Sequence, residues 1–164
     1  MSKTKYVSYG DRGFWAYDVI LNVFLKHLID AAQVIDQADS EWLSSATMDW
    51  LTVASIPDIG LILEGSWLEA QRQSFVAITE AACAKLAERT SIPATEIISW
   101  PLLEDMRIFP RGATEVPTAP IVELAHAIIA LVSGTLPEAP SGTAWFYTDT
   151  GRETIRMHPS GSSN

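Results

Sequence analysis

A single cysteine, Cys83, stands among 164 residues, so the chain can close no internal disulfide and build no cysteine-rich metal site. Its neighbours Ala81, Ala82 and Ala84 mark it as a small packed residue rather than a displayed nucleophile. No apolar run approaches the roughly 20 residues that span a bilayer. The opening Met-Ser-Lys-Thr-Lys-Tyr has two lysines but no apolar stretch or small-residue cleavage site behind them. It does not read as a signal peptide, and the expectation is a cytoplasmic protein with no membrane partner. Glycine-rich phosphate loops are missing, and so is the Gly-x-Ser-x-Gly nucleophile turn. No cofactor is expected on these grounds, and no stretch carries the motif of a known family.

Basic residues are missing from one long segment. Between His27 and Gln71 lie eight acids (Asp30, Asp36, Asp39, Glu41, Asp49, Asp58, Glu64 and Glu69) and not one Lys or Arg. Elsewhere the two signs nearly balance, so about a quarter of the chain holds almost all of the net charge of −9. A one-signed patch concentrates oppositely charged partners and repels nucleic acid and anionic lipid. The eleven basic residues are scattered, except for Arg107 with Arg111 and Arg152 with Arg156. These are too few to hold a polyphosphate, and no nucleic-acid partner is expected.

Hydrophobic residues at 48% and charged residues at 19% fit a globular chain. The length suits one domain over residues 1–158 followed by a small, polar tail, 159–164, with nothing to hold it. A first helix is expected from Asp11, as N-cap, to Gln33. Asp18, Asn22, Lys26, Asp30 and Gln33 would form its narrow solvent stripe, and Phe14, Ile20, Leu21, Phe24 and Leu28 its buried faces. A second helix covers 40–54 and is ended by Pro57. Residues 59–64 read as a brief strand. Ser66 with Glu69 has the capping-box pattern that opens a helix to Arg89. A shorter helix started by Pro93 fills 90–100, a long surface connection 101–117, and a further helix 118–133 stops at Gly134. Residues 143–148 and 152–157 flank Asp149-Thr150-Gly151 as a hairpin with a bulge. The fold class is mainly α with a small β component (α+β), four to five helices plus a C-terminal β-hairpin.

Two arrangements resemble chemistry. Glu123 and His126 share a helical face at the spacing of carboxylate-bridged metal sites, but the second copy such sites need is absent, so no metal is expected. His27 lies off the polar stripe of the first helix, with Asp30 three residues on to orient it, yet no nucleophile accompanies it. No catalytic residue is therefore assigned. What remains is the acid-only segment, which also holds Trp42, Trp50 and Trp67. Aromatic anchors ringed by charge are the anatomy of a protein–protein hot spot, against the plainer reading that the tryptophans fill the core and the acids solvate helix faces. The expected binding residues are Asp36, Asp39, Glu41, Trp42, Asp49 and Glu64, and the expected partner is a basic protein. Small acidic bacterial immunity proteins, which inhibit basic toxins, are similar in charge and size alone. Two alternatives stay open: a small enzyme of unknown class using His27 in a cleft, and a structural subunit that buries apolar surface in a homodimer.

Overall fold

The structure, a computed structural model, describes residues 3–35 and 40–157. In chain order the elements are β1 (Thr4–Tyr9), β2 (Arg12–Tyr17), α1 (Asp18–Val34), α2 (Ser40–Ser55), β3 (Leu61–Leu63), α3 (Glu69–Ala87), β4 (Ser91–Pro93), α4 (Ala94–Ser99), β5 (Glu115–Pro117), α5 (Ala119–Ser133), β6 (Thr143–Thr148) and β7 (Gly151–Arg156). The class is α+β: five helices among the described residues, with β6 and β7 as the expected C-terminal hairpin. The β component is larger than the sequence suggested. The hairpin extends a five-stranded mixed sheet of order β3-β1-β2-β6-β7, in which β1/β3 and β2/β6 run parallel. A separate β4/β5 ribbon sits beside α4.

The largest correction is at the N-terminal side. Asp11 caps no helix; with Gly10 it turns β1 into β2, and the first helix begins seven residues later, at Asp18. Phe14 and Ala16 are fully buried and alternate with the less buried Gly13, Trp15 and Tyr17, a period of two that suits a pleated strand. Aromatic residues favour strands, so this segment fits an amphipathic strand better than the first turns of a helix.

Burial on α1 follows the expected faces. Ile20, Leu21, Phe24 and Leu28 are wholly inaccessible, and α2, α3 and α5 all pack around this helix. Its polar stripe is open to solvent only at Asp30 and Gln33. Asp18, Asn22 and Lys26 are half-buried, because Arg111 pairs with Asp18 and Lys5 reaches Asn22. Phe14 on β2 stacks at 4.8 Å against Tyr147 on β6, joining the two hairpins through the core.

Local chemistry sets several boundaries. α3 starts at Glu69, not at Ser66, and only half of a capping box forms: the Leu68 N–H donates to Gln71 Oε1 at 3.0 Å. Gly134, at φ 75°, closes α5 in the left-handed conformation expected there. Gly13 has a different reason to lack a side chain. A Cβ there would lie 2.3 Å from the Val7 carbonyl oxygen and 2.7 Å from the Tyr6 ring, which crosses this position to meet Trp15 edge-on at 5.0 Å.

Candidate functional site

The helical repeat of α2 puts Trp42, Ala46 and Asp49 on one face. That face looks across to the end of β3 and the segment after it. Between them is a cavity of about 220 Å³, lined by Trp42 and Asp49 from α2, Ile62 and Glu64 at β3, Trp67 from the connection, and Gln71 from α3. No Lys or Arg lines it. Its floor is a run of aromatic contacts. Trp67 meets Trp42 at 5.5 Å, Tyr9 at 6.0 Å and Phe75 at 5.0 Å, and Phe75 meets Trp50 at 5.8 Å. Tilted and edge-to-face pairs of this kind hold rings in fixed orientations, so the cavity walls are set by the core behind them.

The expected binding residues divide accordingly. Trp42, Asp49 and Glu64 come together at one cavity although they belong to two elements. Glu41 is exposed in the first turn of α2, where its charge suits the positive helix end, but it does not line the cavity. Asp36 and Asp39 lie outside the described residues. Of the three tryptophans, Trp50 is a core residue at 2% exposure, and Trp42 and Trp67 are half-buried against the core. The core-filling reading thus describes the first and only partly the other two. One large apolar side chain that lines the cavity, Ile62, is itself exposed. Trp67, the hub of the aromatic run, was not among the expected binding residues. Its place between Gly65-Ser66 and a helix start gave no periodicity from which to read its facing.

The two catalytic-looking arrangements resolve differently. His27 Nδ1 donates to the Val23 carbonyl at 2.9 Å, and its ring stands edge-on to Trp100 at 5.6 Å. Burial holds its pKa below the ordinary histidine value, against the pull of the Val23 bond and Asp30. Asp30 acts on it through charge alone, and its carboxylate accepts from Lys26 Nζ at 2.8 Å. His27 does not line the cavity beside Trp42. Glu123 and His126 do line one, of about 560 Å³, with Tyr147 and Arg152. There Glu123 accepts the Arg152 backbone N–H at 2.6 Å, tying α5 to β7. Arg152 in turn lies 4.0 Å over the Trp145 ring. Among the described residues no three metal-ligating side chains cluster, and no helix is long and apolar enough to cross a membrane.

Comparison with protein-family models, with curated proteins and with solved structures returned no match. No role can be transferred from a relative, and each residue's part has to follow from its own surroundings.

Proposed function

We propose that the protein is a non-catalytic binder that receives a basic side chain of a protein partner on the α2/β3 surface. The supporting observation is the convergence of Asp49 and Glu64 on a tryptophan-floored cavity lined by no cation. A Lys or Arg head entering it meets two carboxylates and ring faces together, and cation–π attraction adds about 0.5–2 kcal/mol to the charge-assisted bonds. At about 220 Å³ the cavity suits one side chain; pockets for small-molecule ligands usually start near 300 Å³. Ile62, exposed at the cavity, adds apolar surface of the kind that excludes water from hot spots. A basic toxin, with this protein as its immunity-type inhibitor, is the partner class that fits by charge and size.

The test is association with the product of the neighbouring gene, measured at low and high salt. The parent should bind, and its on-rate should fall as salt rises, because ions screen exposed charges beyond about 8 Å at physiological strength. Asp49→Lys with Glu64→Lys should abolish binding and leave the fold unchanged. Binding indifferent to both salt and the double reversal would refute the proposal.

The homodimer reading has one observation of its own. Opposite the helix-covered face of the sheet, Tyr6, Trp15 and Phe146 sit side by side on paired strands, exposed or half-buried. Sedimentation of the parent against Trp15→Ser tests it.

A further inference from the structure

The pair Arg107 and Arg111, the one basic cluster not yet given a role beyond an ion pair, lies at a second cavity. This one measures about 300 Å³ and is bounded by the start of α1, the end of α2 and the irregular segment between α4 and β5. Pro57, Met106, Ile108 and Phe109 give it an apolar wall, and Phe109 at its mouth is 64% exposed.

The charges here run against the rest of the molecule. Lys5, Arg107 and Arg111 line the cavity with one carboxylate, Asp18, and Asp58 lies close enough to act on Lys5 and Arg111. In a chain with 20 acids and 11 bases this is a local excess of positive charge. The cations are not equally committed. Lys5 Nζ donates to Asn22 Oδ1 and to the Val53 and Ile56 carbonyls, which uses all three of its protons. Arg111 is paired with Asp18. Arg107 donates to the carbonyl of its own neighbour Met106 at 2.8 Å and has no carboxylate partner among the described residues. A half-buried guanidinium with five N–H donors, bonded to a single carbonyl, has donors left for a ligand.

The backbone around the cavity is unusual as well. The non-glycine residues at positive φ among the described residues are Asp58 at 66°, Glu104 at 53° and Arg111 at 53°. Aspartate tolerates that conformation, but for Glu and Arg it costs energy that the surrounding structure must offset, and such residues gather at ligand sites. All three fall in the two segments that frame this cavity.

We propose that the cavity binds a small organic anion, with its carboxylate on Arg107 beside Arg111 and its apolar body against Met106, Ile108 and Phe109. This site is separate from the tryptophan-floored cavity and does not depend on that cavity being used.

The experiment compares 4-phenylbutyrate with 4-phenylbutylammonium, the same body with opposite charge, on the whole chain by amide NMR titration. At a net charge of −9, bulk electrostatics favour the ammonium, so a preference for the carboxylate has to arise locally. The carboxylate should bind saturably, with shifts centred on residues 55–57 and 106–111. Arg107→Gln should weaken it by about tenfold, the loss of one charge-assisted interaction. Arg107→Lys should fall between the two, and Phe109→Ala should weaken both probes' contact with the wall while leaving the thermal midpoint in place. No saturable binding, an ammonium that binds as well as the carboxylate, shifts centred elsewhere, or an Arg107→Gln affinity equal to the parent's would overturn the assignment.

Discussion

Lys5 Nζ donates to the Val53 carbonyl, joining the first strand to the last turn of a helix 48 residues away. α2 has no basic residue of its own in that turn, so Lys5 supplies from β1 the cation that helix C-termini favour. Its bonds to Asn22 and Ile56 complete the arrangement. Lys5→Met keeps most of the stem and leaves three acceptors unpaired where the parent side chain is 3% exposed. Chemical denaturation should show a loss of about 2–4 kcal/mol.

The same group sets a pH dependence. Burial draws the Lys5 ammonium from 10.5 down to about 8, with Asp18 and Asp58 pulling the other way. The folded chain therefore releases this proton near pH 8, whereas the unfolded chain holds it until about 10.5. Between those values the unfolded state binds more protons, so this group makes stability rise with pH; below pH 8 both states are protonated and it contributes no slope. The stability gap between the parent and Lys5→Met should widen from pH 8 to 10. A flat gap would place the folded-state pKa at its ordinary value, and a narrowing one above it.

Gly151 has φ 124°, which a β-branched residue adopts only with strain. An added Cβ would meet no more than the Glu123 carboxylate at 3.6 Å, so conformation rather than collision decides the outcome. Gly151→Val should lower stability by about 1–3 kcal/mol, while Thr150→Val one residue earlier should cost less. Equal thermal midpoints for Gly151→Val and the parent would contradict the turn geometry.

At Gly13 the cause is the reverse. Its φ is ordinary, but even a methyl collides with the Val7 carbonyl and the Tyr6 ring. Gly13→Ala should cost about 2–3 kcal/mol by forcing β1 and β2 apart. Tyr6→Ala alongside it should not restore stability, because the backbone collision remains.

Phe24→Ala tests the centre of the core. The side chain is wholly buried on α1, and its loss should cost about 3–5 kcal/mol in denaturant unfolding. A change below about 1 kcal/mol would mean that the neighbouring helices close the space.

Helices with a clean period of 3.6 were legible from the residues. The apolar faces of α1, the span of α2 and the Gly134 stop of α5 all follow from local pattern. What the pattern could not carry was pairing between distant segments. Phe14, Trp15 and Tyr17 suit a helix face as well as a strand until β6 is known to lie beside them. The three residues of β5 have no local signal at all, and they form because β4 offers hydrogen bonds. For the candidate site, charge spacing located Trp42, Asp49 and Glu64. Ile62 gains its place only once β3 lies beside α2 at the cavity, and Arg107 its role only from the lack of a carboxylate partner among the described residues.

The parallel pairing of Trp15 with Phe146 joins strands on either side of the five helices of the described residues. During synthesis, then, β1 and β2 leave the ribosome long before their neighbour β6 exists, and α1 must wait with Phe14 lacking its Tyr147 lid. Such long-range closure slows folding and leaves a strand edge open to other chains in the interval. The nascent protein depends on its helices to hold the unfinished sheet, and a stall before residue 143 would leave that sheet incomplete, however stable the finished molecule is.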